Sequence, residues 1–552
     1  MSIITFLETK TVSSLVKVFA DAELNAPRHL EGTALANEVY SFQVAYRWSK
    51  FMLKEVCIKV VSDIAPCVTV RKVESVPVEM PVYGDHDDNI LRGLPGLYPD
   101  ILVPPDQAGI TLLPRQWRSL WITINLDNNV EPGIYPIDVI FESKTGEMLG
   151  KENFQLTVLE ASLPKQTLIH TEWFHSDCIA TWYKTEIFSN KHWDLLDKYI
   201  KTAVEHGINM ILTPIFTPPL DTMVGGERPT VQLVEVNKNG DTYTFGFQKL
   251  KKWISMCKSN GIEYFEFSHL FTQWGAKHAP KIMATINGEY KRIFGWETDA
   301  AGVEYKSFLD EFLPCLIAFI KENQLENCSY FHVSDEPSMM HLESYENANN
   351  IIKKHVEDFP VIDALSDYTF YEKGLVKNPI PANNHIEAFL ENNVPNLWTY
   401  YCCGQYKKVS NRFIDMPSAR NRILGLQLYK YGIVGFLQWG YNFWYSQYSR
   451  FPIDPFRVTD GAFFVPAGDA FLVYPGKEGP LESIRMEVFY EALQDLRALQ
   501  SLEIYIGKEA VVSIIEDDLD TPITFSEYPK DATWLIQKRD RINRMIEQCR
   551  QK

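Results

Sequence analysis

Positive charge is what this 552-residue sequence is shortest of. Its 54 Lys and Arg face 71 Asp and Glu, a formal charge of −17. Nucleic acid and anionic membrane surfaces would be repelled by that balance, so neither is expected as a partner. No apolar run is long enough to span a bilayer. Residues 1–8 lack the basic patch and apolar core of a secretory leader, and the cytoplasm is the expected location. The nine cysteines are odd in number and scattered, with no C-x-x-C pair. That fits reduced, mostly structural thiols and argues against a disulfide framework or a zinc site. A Gly-rich phosphate loop, internal repeats, low-complexity tracts and long charge runs are also missing.

Aromatic residues are plentiful instead: 13 Trp, 27 Tyr and 32 Phe. Such rings fill large cores, and they also stack on the apolar faces of sugars. Residues 1–160 alternate with period two, as in Tyr40, Phe42, Val44, Tyr46 and Trp48, or Leu120, Ile122, Ile124 and Leu126. Pro, Gly and Asn turns separate these runs, which predicts an N-terminal antiparallel β-sandwich. The polar loop at 83–98 is placed to reach toward a site on the next domain. From 165 to 480 the rhythm becomes buried strand, loop, helix. Strands are expected at 168–173, 208–213, 264–269, 329–334, 361–366, 397–401 and 434–439, with a weak one near 375–381. Helical stripes such as Phe308, Phe312, Leu316 and Phe319 lie between them. This predicts a (β/α)8 TIM-type barrel. A doubly wound sheet would alternate similarly but would need the missing phosphate loop. Residues 481–552 read as C-terminal helices packed on the barrel, with Ile484, Val488, Ala492, Leu496 and Leu499 as one stripe.

The chemistry centres on 329–337, where a buried strand ends in Asp335, Glu336 and Pro337. Pro337 suits the first position of a helix, and Leu342, Tyr345, Ala348, Ile352 and Val356 would line that helix's buried face. Ligands bind at such strand-to-helix junctions. Two adjacent acids there repel each other, so one should keep its proton near neutral pH. Other polar and aromatic residues gather at the expected strand ends. These are Trp173 and His175, then His269, Gln273 and Trp274, then Asp367 and Tyr368. Trp398, Tyr400 and Tyr401 follow, and finally Trp439, Tyr441, Asn442 and Trp444. Rings beside acids and amides make a sugar pocket. A common retaining glycosidase needs two carboxylates about 5 Å apart from different strands. Neighbours on one strand point opposite ways, so Asp335 and Glu336 fit a substrate-assisted route better. There a 2-acetamido carbonyl attacks the anomeric carbon, one acid protonates the leaving oxygen, and the other holds the acetamide N–H. Alternatives are Glu336 as acid with Glu172, Glu266 or Asp367 as nucleophile, and a non-catalytic sugar-binding protein.

The sequence resembles the family 123 glycoside hydrolases. The matching stretches are His332-Val333-Ser334-Asp335-Glu336-Pro337, His269-Leu270-Phe271-Thr272-Gln273-Trp274-Gly275 and Asp363-Ala364-Leu365-Ser366-Asp367-Tyr368. Trp398-Thr399-Tyr400-Tyr401-Cys402-Cys403-Gly404 and Gly468-Asp469-Ala470-Phe471-Leu472-Val473-Tyr474-Pro475-Gly476 match as well, as does the helix opening Ile484-Arg485-Met486-Glu487. The resemblance implies an exo-acting β-N-acetylgalactosaminidase that retains configuration through an oxazolinium ion, with no metal or cofactor. Its partner would be a glycan or glycoconjugate ending in β-linked N-acetylgalactosamine. Asp335 would orient the acetamide and Glu336 would be the acid/base. Trp439 is expected as the stacking floor, with Trp398 and Tyr400 as walls and His269, Trp274, Asp367, Tyr368 and Tyr441 as further sugar contacts.

Overall fold

The computed structural model describes residues 6–126 and 130–551. Two five-stranded sheets form the N-terminal part. One runs in the order Leu7–Ser13, Val39–Trp48, Trp117–Asn125, Val68–Val78, Gly96–Val103. The other runs Glu31–Ala36, Met148–Ser162, Gly133–Glu142, Leu53–Val61, Ile110–Leu112. Phe42, Val44, Ile122, Phe141, Phe154 and Leu156 interleave between them. The pairing is antiparallel with one departure: Glu31–Ala36 lies parallel to Met148–Ser162. The chain crosses from one sheet to the other before residue 31 and so arrives at this edge in the parallel sense.

The opposite face of the first sheet is buried too, although its residues look polar. Gln43 donates to the carbonyls of Ser13 and Val16 and accepts from Ser119. This face meets the C-terminal helix Ile484–Ile506, where Trp121 joins Phe489 and Leu493 in one core.

The barrel strands are β1 (Ile169–Glu172), β2 (Met210–Thr213), β3 (Tyr264–Phe267), β4 (Ser329–Tyr330), β5 (Ile362–Ala364), β6 (Asn378–Ile380), β7 (Trp398–Tyr400) and β8 (Gly435–Gln438). All pair in parallel. A six-stranded sheet runs β4-β3-β2-β1-β8-β7, and β5 pairs with β6. Single bridges, Phe331 to Val361 and Ala382 to Tyr400, join the two sets. Trp173, Met210, Leu212, Ile362, Ile380, Trp398 and Leu437 fill the interior. Among the described residues no helix is long and apolar enough to cross a membrane.

The helix Val303–Glu322 buries Phe308, Phe312, Leu316 and Phe319, as their spacing predicts. The helix after the acid pair begins later than expected, at Leu342, following a short 3-10 turn at Met339–His341. Glu336 is left-handed and Ser338 is extended, so Pro337 has no helical neighbours. A small sheet of Glu235–Asn239, Thr242–Gly246, Ile282–Ile286 and Glu289–Phe294 decorates the loops after β2 and β3. Its two hairpins turn at Asn239-Gly240 and Asn287-Gly288, Asn-Gly steps that favour a tight β-turn.

Candidate active site

Past the end of β4 the chain turns, and two backbone hydrogen bonds pin the turn. The Trp274 N–H donates to the Asp335 carbonyl at 3.0 Å, and the Glu336 N–H donates to the Ala364 carbonyl at 3.1 Å. Glu336 has φ +43°, in the left-handed region that few non-glycine residues occupy. That conformation breaks strand alternation. The acids were expected to point apart, yet both line one pocket of about 180 Å³. This is room for roughly a dozen waters, the scale of one sugar ring.

Aromatic groups form much of the pocket wall: Trp173, Trp274, Tyr400, Trp439 and Phe464. The Tyr400 hydroxyl donates to Glu336 Oε1 at 2.6 Å. Trp439 is fixed at two points. Its indole N–H donates to Asp469 Oδ2 at 2.9 Å, and its carbonyl lies 3.0 Å from His175 Nε2. Burial and the Arg228 guanidinium push His175 down to about 3. Its ring is therefore neutral: Arg228 donates to Nδ1, and Nε2–H donates to Trp439. Arg228 is itself clamped by both oxygens of Asp177.

Burial and the neighbouring Glu336 hold the Asp335 carboxyl well above the ordinary carboxylate range. His332 opposes the effect, while Asp363 and Asp221 add to it. Asp221 is a third carboxylate on the pocket, raised to about 6 by burial. Its backbone is held at φ +39° by Gln273, which accepts from its N–H, and Ser449, which donates to its carbonyl.

Beneath the pocket, His332 Nε2 lies 2.8 Å from Glu266 and Nδ1 lies 3.4 Å from Asp363. Burial disfavours its charge, but the two carboxylates outweigh that and push it up to about 9. His269 stacks on it with centroids 4.2 Å apart and planes 21° apart. His269, His332 and Asp363 are close enough to suggest a metal. The stacked rings argue otherwise: their lone pairs run nearly parallel, so no single ion lies in both ring planes. A buried imidazolium between two carboxylates accounts for His332, Glu266 and Asp363.

The family model for the catalytic domain of glycoside hydrolase 123 matches residues 173–502. The chain belongs to glycoside hydrolase family 123. A solved family 123 glycoside hydrolase from Clostridium perfringens, studied for glycolipid glycan hydrolysis, superposes with a TM-score of 0.75 at 16% identity. The match covers 99% of each chain. A Rhizomucor miehei family 5 mannosidase gives 0.31 at 12% identity, covering 66% of this chain and 97% of the mannosidase. A Parabacteroides merdae β-glucuronidase gives 0.30 at 11%, covering 89% and 53%. No curated protein matches.

In this family 123 glycosidase the pocket collects Asp335, Glu336, Trp274, Tyr400 and Trp439, and leaves the other expected sugar contacts outside. Trp398 shares a face with Tyr400 but sits deeper, buried in the barrel interior. His269 lies in the layer below the acids. Asp367 caps the short helix Tyr368–Glu372 by accepting from Thr369 N–H, and Tyr368 packs on Phe389. Tyr441 is buried, its hydroxyl donating to the Tyr199 carbonyl. The three nominated nucleophiles are also diverted. Glu172 takes a two-point contact from Arg412, Glu266 is bound by Thr171, Trp173 and His332, and Asp367 is the helix cap. None lines the pocket.

Sequence reading missed Asp221, Cys402, Cys403 and Phe464 as pocket residues. Asp221 sits in a long loop after β2, away from the strand end, and no pattern marks it. The loop from residue 83 reaches this side without lining the pocket. Asp85 meets Lys407, Asp87 pairs with Arg420, and Tyr83 packs edge-on against Tyr406. It braces the segment behind Cys402 and Cys403 instead.

Proposed function

We propose that this glycosidase is an exo-acting β-N-acetylgalactosaminidase that retains configuration through a substrate-assisted oxazolinium mechanism. The observation that carries the reading is that two acids adjacent in the chain share one small pocket while Glu172, Glu266 and Asp367 are committed elsewhere. A terminal sugar enters and stacks on Trp439. Its acetamide N–H donates to Asp335, which favours the carboxylate of that residue. The proton held by the free pair then passes to Glu336, and Glu336 delivers it to the leaving oxygen as the acetamide carbonyl attacks the anomeric carbon. Tyr400 positions the Glu336 carboxyl for that transfer. Glu336 afterwards takes a proton from the water that opens the oxazolinium ion.

Family membership and the Clostridium perfringens relative support glycan hydrolysis. The choice of N-acetylgalactosamine rests on the family resemblance. The test is to incubate the protein with 4-nitrophenyl β-N-acetylgalactosaminide, β-N-acetylglucosaminide and β-galactoside side by side. The reading expects the first to be cleaved fastest and the last, which has no acetamide, to be inert. Asp221 supports a second reading, because it is a pocket carboxylate that a double-displacement mechanism could use. Cleavage of the plain galactoside would favour it.

A further inference from the structure

Cys402 and Cys403 follow β7, and both bound the substrate pocket. On a strand one of them would face away. Here the chain leaves β7 after Tyr400 and turns at Cys403 and Gly404, which brings both side chains to one wall. Their thiols are neighbours on that wall. No other two of the nine cysteines are adjacent in sequence.

We propose that Cys402 and Cys403 form a redox-responsive dithiol site in the pocket wall: peroxides close it to a vicinal disulfide, trivalent arsenicals bridge it, and either event disables the pocket. Consecutive Cα atoms stand about 3.8 Å apart, short of the roughly 4.4–6.8 Å that ordinary disulfides span. A bond between these sulfurs is therefore strained and easily reduced, which suits a reversible modification and not a structural cross-link.

The chemistry balances with one hydrogen peroxide. The Cys403 thiolate attacks a peroxide oxygen, the O–O bond breaks, and a sulfenic acid forms with release of one water after proton uptake. The Cys402 sulfur then attacks the sulfenic sulfur, the S–S bond forms and a second water leaves. The two thiols lose two electrons and two protons, and the peroxide becomes two waters. The neighbouring Cys403 thiol, together with burial, pushes the Cys402 thiol well above its usual range, and that thiol donates to Gln405 Oε1 at 3.3 Å. The first attack therefore falls to Cys403.

The peptide joining the pair is anchored to the sugar floor. The Cys403 N–H faces the Asp469 carboxylate, and Asp469 holds the Trp439 indole. On the other side, the Cys402 N–H donates to Gln405 Oε1 at 2.9 Å and its carbonyl accepts from Asn411 at 2.9 Å. Closing an eight-membered ring turns this peptide, takes the Cys403 N–H from Asp469 and loosens Trp439.

The experiment treats the reduced full-length protein with hydrogen peroxide, alkylates free thiols, and reads peptide masses beside turnover of an aryl β-N-acetylhexosaminide. The peptide carrying both cysteines should lose two hydrogens and escape alkylation. Turnover should fall by at least about tenfold, the scale of a misplaced binding group, and dithiothreitol should restore both. One equivalent of phenylarsine oxide, which forms two As–S bonds while its oxygen leaves with the two thiol protons as water, should inhibit likewise, reversibly with a dithiol but not with a monothiol. Cys402→Ser and Cys403→Ser, each compared with its own untreated activity, should lose the response. The proposal is overturned if the pair stays alkylatable while exposed Cys57 or Cys315 is oxidised. It is equally overturned if the disulfide forms without loss of turnover, or if the loss persists in the serine variants. The mass readout stands whichever sugar the enzyme prefers.

Discussion

Glu336 has a left-handed backbone, and its φ of +43° is what lets two consecutive acids serve one pocket. The pair and its strand were legible in the sequence because a short apolar run ends abruptly in charge. Its geometry was not, since a left-handed glutamate has no sequence mark. Glu336→Gln should abolish cleavage of substrates with poor leaving groups and spare those with very acidic ones, which need little protonation. Rates measured across a series of aryl aglycones test this, and equal losses throughout would contradict it. Tyr400→Phe removes the hydroxyl that holds Glu336 and should lower kcat/KM by about 10–100-fold, the value of a hydrogen bond to a charged group. Asp469 offers a pH test. Burial raises its carboxyl to about 7 against the stabilising Trp439 N–H. A group raised on folding stabilises most below its unfolded value, and that contribution fades as pH climbs through the folded one. The Tm advantage of the wild type over Asp469→Asn should therefore shrink between about pH 4 and 7. A constant difference would show that Asp469 does not titrate there.

Strand rhythm made the barrel readable element by element, including the weak β6. What escaped were the small sheet at 235–294, whose Asn-Gly hairpins lie outside the strand-loop-helix rhythm, and the late start of the helix at Leu342. The aromatics at strand ends show the same limit. Trp398 and Tyr400 are two residues apart on β7 and face the same way, yet only the outer one reaches the pocket. Depth along a strand is set by barrel stagger, which residue types do not encode. The C-terminal helix depends on a close approach instead. At Gly425, in the helix Leu424–Tyr431, an added Cβ would stand 2.1 Å from the carbonyl oxygen of Ala492 in the helix Ile484–Ile506. Gly425→Ala must push these helices apart and should cost on the order of 1–3 kcal/mol, the range for overpacking. A thermal or denaturant melt measures it, and an unchanged midpoint would mean the helices yield freely.

Across the whole molecule, the sandwich and the barrel are joined by buried charge. Arg485 on the C-terminal helix grips both oxygens of Asp100 on the sandwich, and Tyr474 donates to the same carboxylate. Arg71 reaches from the sandwich to Glu487. The sequence shows these residues as ordinary helix and strand charges, because their partners lie hundreds of positions away. Arg485→Met would leave Asp100 buried without its cation and should destabilise the protein by about 3–5 kcal/mol, read as a lower denaturation midpoint. The frame so joined holds Asp335 in the pocket wall, and in the proposed mechanism Asp335 serves the acetamide and forms no bond to sugar. The direct measurement compares wild type with Asp335→Asn, using tight binding of N-acetylgalactosamine-thiazoline and azide rescue. Turnover should fall about 10²–10⁴-fold in the variant, as when a transition-state electrostatic partner is lost. Most of the extra affinity for the thiazoline over N-acetylgalactosamine should vanish with it, and azide should not restore activity. An inverted α-glycosyl azide from the variant, or a sugar covalently trapped on the wild-type protein, would contradict the account and establish a carboxylate nucleophile.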